Sequence, residues 1–206
     1  RQVADGHLSL EEEVTITRTF AGSDGTPFVL EGDHLDGDLP PPGTLMPLSA
    51  VLDAMITRSS NEATNAVMER VGIPAVDAAA RASGARRTRI ERLIGDPGAV
   101  ATGLTNEVTA ADLVTLMRAV TTGRAPGWDS PLPDHLVDLH VDLLERQTIA
   151  PIGAALAKGV RWGSKSGEVE GVRHDVAFVG DPGTDGVRYL AVCTQGLGEA
   201  AADEAI

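Results

Sequence analysis

Three things are scarce in these 206 residues: cysteine, positive charge and long apolar runs. Cys193 stands alone, so no internal disulfide can form. No His or Asn follows it at a spacing that suits a thiol enzyme, and it reads as a small apolar residue of a strand. Lys and Arg together number 17 against 30 Asp and Glu, a formal net charge of -13. A surface of that sign repels phosphates, which argues against a nucleic-acid or anionic-membrane partner. No apolar run is long enough to span a bilayer. His135 and His140 are spaced badly for one helical face and no H-E-x-x-H is present, so no metal site is expected.

Hydrophobic residues make up 42% of the chain, enough for a buried core in one domain or two small interlocked lobes. The first residue is Arg, not Met. Arg1 to Gly6 reads as the last turn of a helix, with Gly6 in the position after it that tolerates positive φ. Ala200 to Ile206 reads as the first turns of another helix. The expectation is a single but incomplete domain, residues 1–206 of a longer chain.

Leu8 and Leu10, then Val14, Ile16 and Arg18 alternating with Thr, predict a short strand. Residues 21–46, rich in Gly, Asp and Pro, predict a long surface connection. Helical spacing then runs through Leu48, Val51, Leu52, Met55 and Ile56, and after a break through Ala63, Val67, Met68 and Val71 to Gly72. Pro74 opens a third helix through Ser83, with Gly84 past its end. Residues 86–104 read as a loop. Thr109 caps a further helix, with Asp112 completing an approximate capping box, and another helix runs from Asp134 to Arg146. Val160 to Gly163, Val172 to Val179 and Val187 to Gln195 read as strands. The fold class is α+β: an antiparallel sheet, about 158–196, packed with helices, plus an all-helical lobe, about 47–150. The acidic run Glu11-Glu12-Glu13 reads as solvated surface.

Two short motifs carry chemistry. Ser59-Ser60-Asn61 lies between two helices, with Asn65 on the second, and Lys165-Ser166-Gly167 lies at the end of a strand. Acyl transfer to a serine needs a base, a proton route to the leaving nitrogen and a cationic clamp for a substrate carboxylate. A loop serine beside a strand lysine can relay the proton, and a Lys-Ser-Gly strand supplies an ammonium, a hydroxyl and a backbone edge that glycine leaves open. Taken alone, the first motif reads as a simple helix cap and the second as an ordinary exposed hairpin. Asn65 reads as a structural hydrogen-bonder, and His174-Asp175 as structural, because neighbours in a strand point to opposite faces.

In this order and separation the motifs resemble those of class A β-lactamases, a family of penicillin-recognising serine hydrolases. The likeness runs through MITRSSNEATNAVMERVG, LTNEVTAADL, LLERQ and WGSKSGEVEGVRHDVAFVG. It implies that Ser59 relays the proton and that Asn61 binds the substrate's amide side chain. Lys165 would stabilise the substrate carboxylate and tune Ser59. Ser166 would hydrogen-bond that carboxylate, Gly167 would allow close approach, and the Glu168 backbone N–H would serve the oxyanion hole. It also implies a small-molecule substrate, a β-lactam or peptidoglycan-like amide, a monomer without cofactor or metal, and a secreted or cell-envelope location.

The departures are specific. Ser60 stands where the family has Asp, and Ser166 where it commonly has Thr. TRIERLIGD places Ile94 where the family's deacylating glutamate falls, with Glu91 and Asp96 nearby. No serine is followed by Lys at the third position, so the family's nucleophilic S-x-x-K is expected upstream of Arg1. The leading reading is a serine hydrolase that opens β-lactams or related amides through an acyl-serine. A penicillin-binding peptidase or esterase, and a non-catalytic ligand-binding domain on the same scaffold, are the alternatives. Residues 1–206 alone should form no covalent adduct with a fluorescent penicillin in intact-mass spectrometry; an adduct on any serine would show that the nucleophile is misassigned.

Overall fold

The computed structural model describes the backbone of residues 1–206 and every side chain except those of Glu199 and Asp203. Residues 1–79 and 88–107 form one compact unit, and residues 80–87 and 108–206 a second.

The first unit opens with a helical turn in which the Asp5 N–H donates to the Arg1 carbonyl, closed by Gly6 at φ 75°. Strand β1 (Glu13–Thr15) then pairs antiparallel with β4 (Leu45–Pro47). Between them the expected surface connection holds a hairpin of β2 (Thr19–Ala21) and β3 (Pro27–Val29). The correction has a clear cause. Phe20 and Phe28 face each other in register, and with Leu30 they are buried against Ala66, Met68 and Leu93. Three-residue strands between Gly- and Asp-rich turns are too short for an alternating pattern to stand out from the composition around them.

Helix α1 (Leu48–Thr57) buries Leu48, Val51 and Ala54, spaced by three on one face. Helix α2 (Asn61–Val71) starts at Ser60, whose Oγ accepts the Ala63 N–H, and stops at Gly72, φ 84°. Val51, Ala54 and Ala63 form a core with Ile16 and Leu39. Helix α3 (Ile73–Ala82) follows, with Gly84 at φ 96°. The expected loop 86–104 contains β5 (Arg89–Ile90), which pairs with β6 (Asn106–Glu107), and the short helix α4 (Pro97–Ala101). Side chains close this loop, and no apolar period marks it in the sequence.

In the second unit α5 (Ala110–Thr122) is capped by the Thr109 hydroxyl, which accepts the Asp112 N–H. The Asp112 carboxylate accepts the Arg86 and Arg87 N–H groups, so it fastens the preceding segment rather than only its own helix. Helices α6 (Asp134–Glu145) and α7 (Pro151–Ala155) lead to the sheet β7 (Trp162–Val169), β8 (Val172–Val179) and β9 (Arg188–Gln195), antiparallel in that order. Helix α8 (Glu199–Ala205) ends the chain. Strand β7 is longer than expected. It runs through Lys165-Ser166-Gly167 to Val169, and the turn is the two residues Glu170-Gly171, with Gly171 at φ 72°. The motif therefore lies inside a strand, not at its end. Cys193 is in β9 and exposed, and burial of its sulfur still raises its pKa.

Helix α5 lies on β8 and β9, α6 on β7, and α7 on β7 and β8. Gly163 makes the α6–β7 approach possible. A Cβ there would stand 2.5 Å from the Phe178 ring and 2.9 Å from the Glu145 backbone nitrogen. Gly163→Ala should therefore destabilise the protein by roughly 1–3 kcal/mol, the usual range for overpacking, read as a fall in the denaturant midpoint at unchanged slope. An unchanged midpoint would contradict this packing.

Candidate active site

The first group of candidate residues lies between α1 and α2. Ser59, at φ 58°, is the one non-glycine residue with left-handed φ among the described residues. Holding a serine there costs about 1–3 kcal/mol and persists only where the surroundings over-determine it, which is a mark of functional positions. Ser60 is buried and caps α2. Asn61 is half-buried and its Nδ2 donates to the His34 carbonyl at 3.2 Å.

Asn65, fully buried one turn further on, holds Ile94 by both backbone groups. Its Oδ1 accepts the Ile94 N–H at 2.8 Å and its Nδ2 donates to the Ile94 carbonyl at 2.9 Å. The neck of the same loop is closed by Asn106, whose Oδ1 accepts the Glu91 and Arg92 N–H groups and whose Nδ2 donates to the Arg92 carbonyl. The two carboxylates near Ile94 are both engaged. Glu91 accepts the Thr105 N–H at 3.0 Å. Asp96 is buried and accepts the Ser23 and Ala99 N–H groups at 2.8 and 3.0 Å. Burial opposes charge on Asp96, but these donors outweigh it and hold its pKa below the ordinary value.

The second group lies on β7. Lys165 and Ser166 are half-buried, Gly167 and Glu168 exposed. The Lys165 Nζ donates to the Ser166 carbonyl at 2.6 Å. Burial lowers the pKa of Lys165 from 10.5 to about 8, with the charge of Asp175 pulling the other way. Asp175 stands opposite Ser166 in register and is fully buried; its Oδ2 accepts the Ile152 N–H at 2.9 Å. Its own pKa is raised by burial, against the opposing pull of the Ile152 and Val176 N–H groups, the Ser164 hydroxyl and the Lys165 charge. Asp175 thus holds the start of α7 through Ile152, and its charge also acts on Lys165.

Arg173 was not singled out by sequence. It pairs with Glu168 in register, with 3.4 Å between guanidinium and carboxylate, and adds a second cation beside the motif. Counting back from the Glu170-Gly171 turn finds it. Among the described residues no cluster of His, Cys, Asp and Glu has the makings of a metal site, and no helix is long and apolar enough to cross a membrane.

A model of the beta-lactamase enzyme family matches residues 1–206, and the chain belongs to that family. A beta-lactamase from Sphaerobacter thermophilus DSM 20745 is similar in structure at TM-score 0.77 and 25% identity, over 100% of this chain and 73% of that one. PBP-A is similar at TM-score 0.73 and 24% identity, over 100% and 71%. An ancestral class A beta-lactamase is similar at TM-score 0.70 and 23% identity, over 100% and 75%. The fold is that of β-lactamases and transpeptidases, as the motifs implied. Comparison with curated proteins finds no match.

The Lys165 environment gives a direct check. Between pH 8 and 10.5 the unfolded chain keeps a proton that the folded chain has released, so this group makes stability rise with pH across that window; below about 8 both forms hold it and its contribution is flat. A carbon-detected titration of Lys165, one of two lysines in the chain, should show a midpoint near 8. A midpoint at the ordinary lysine value would contradict the burial described.

Proposed function

We propose that this protein is acylated by β-lactams or related amides on a serine of an S-x-x-K motif outside residues 1–206, and that it releases the acyl group slowly. The observation that carries the reading is Ile94, an aliphatic residue whose backbone Asn65 holds in the loop where the family's deacylating glutamate falls. Glu91 and Asp96 do not substitute for it in this reading, because Glu91 already accepts the Thr105 N–H and Asp96 those of Ser23 and Ala99. Without a base to activate water, the second half of the reaction loses general-base assistance.

In this reading Ser59 relays a proton to the leaving nitrogen and Asn61 binds the substrate's amide. Lys165 and Ser166 take its carboxylate, with Arg173 as a further cation. Gly167 lets the substrate lie along β7, and the Glu168 N–H points to the oxyanion. The left-handed backbone of Ser59 and the half-buried ammonium of Lys165 support these roles. A secreted or cell-envelope location suits an enzyme that meets such substrates. The engaged carboxylates favour a penicillin-binding peptidase or esterase over a fast β-lactamase.

Stopped-flow mixing of the full-length protein with a chromogenic cephalosporin tests this. The expected result is a burst near one equivalent followed by slow turnover. Lys165→Met should abolish the burst, and Ile94→Glu should raise turnover on the order of 100-fold, the scale of a restored general base. Rapid turnover by the unaltered protein, or an undiminished burst in Lys165→Met, would overturn the reading.

A further inference from the structure

Something must hold Ser59 in its left-handed conformation. On one flank Arg58 donates to the Asp36 carboxylate at 3.0 and 3.2 Å, and the Arg58 and Ser60 N–H groups both reach the Ala54 carbonyl. On the other flank the Ser60 hydroxyl lies 3.4 Å from Glu62 Oε2, and Asn61 reaches the His34 carbonyl. The two flanks meet at Glu62. Its carboxylate, 1% exposed, accepts the Asp36 N–H, at 3.0 Å to one oxygen and 3.3 Å to the other, and lies 3.8 Å from the Arg18 guanidinium.

A buried carboxylate is unfavourable unless donors and charge surround it. Its place in the first turn of α2 helps, because the helix dipole favours negative charge there. Yet the helix does not need it as a cap, since Ser60 fills that role. What Glu62 does instead is join the 34–36 segment to the turn. Through Asp36 it reaches Arg58, and through Ser60 it reaches the residue after Ser59.

We propose that Glu62 is a positioning residue for Ser59: by tying Asp36 and Ser60 to one buried carboxylate, it fixes the turn that presents the Ser59 hydroxyl. The inference rests on the relay role given to Ser59 above, but its structural half stands apart from that role.

The test uses the full-length protein with Glu62→Ala and Glu62→Gln. Acylation by a chromogenic cephalosporin is resolved into a dissociation constant and a limiting rate, and the Ser59 backbone is followed by its amide, Cα and Cβ chemical shifts. In Glu62→Ala the limiting rate should fall on the order of 100-fold, the penalty of a misplaced reacting group, with the dissociation constant little changed and the left-handed shift signature of Ser59 lost. Glu62→Gln, which keeps the size and one acceptor oxygen, should fall between. If Glu62→Ala does not fold, Glu62→Gln decides by the same two readouts. Wild-type shifts at Ser59 together with a wild-type limiting rate would overturn the proposal, as would a loss confined to binding. If even the unaltered protein is never acylated, the functional reading fails and the shifts alone decide: a signature lost in the variant supports the positioning role, and one retained overturns it.

Discussion

Asn65 holds the backbone of Ile94 by its N–H and its carbonyl at once, from a position sealed from solvent. Because both partners are backbone groups, the bond is indifferent to the side chain at position 94. It fixes where that side chain stands and leaves its chemistry open. The rest of the loop is built around the same constraint. Asn106 closes the neck, Leu93 is buried beside Phe28 and Leu30, and Asp96 joins the cap of α4 to the turn at Ser23. Removing the Asn65 amide would take away the side-chain partner of both half-buried Ile94 backbone groups.

Polar clamps of this kind recur in the first unit. Asp36 and Glu62 surround the Ser59 turn as Asn65 and Asn106 surround the loop of Ile94. In each case a strained or irregular segment is tied to a buried side chain of α2, Glu62 in one and Asn65 in the other, which is how a fold carries precise loop geometry. The second unit uses a strand instead. Lys165 sits inside β7, and burial together with Asp175 sets its charge.

Much of the helical structure was legible because it announces itself locally. Ser60, Thr109, Gly72 and Gly84 mark ends, and the helical spacing of Leu48, Val51, Leu52, Met55 and Ile56 marked α1, although its buried apolar face is Leu48, Val51 and Ala54. Strand β8 was legible to the residue for the same reason, being bounded by Gly171 and Gly180. The hairpin of Phe20 and Phe28 and the β5–β6 pair were not, because strands of two or three residues are too short to show an alternating pattern, and the length of β7 was not, because its polar Lys165-Ser166-Gly167-Glu168 stretch carries no apolar alternation. The motif residues Ser59, Asn61, Lys165, Ser166 and Gly167 were legible as a pattern and Ile94 by alignment. Arg173 and Glu62 were not: one needs the register of a hairpin, the other the knowledge that a glutamate in a helix's first turn is buried.

In the function proposed above, Ile94 in place of a carboxylate is what leaves the acyl group in place. The most direct measurement is the lifetime of the acyl-protein itself, followed by intact mass after a single pulse of penicillin and removal of the excess. The account predicts one adduct on the full-length protein, on the serine of S-x-x-K, that persists over many minutes and decays without the mass of a second addition. Return to the free mass within the mixing time, with the penicillin fully hydrolysed, would contradict it.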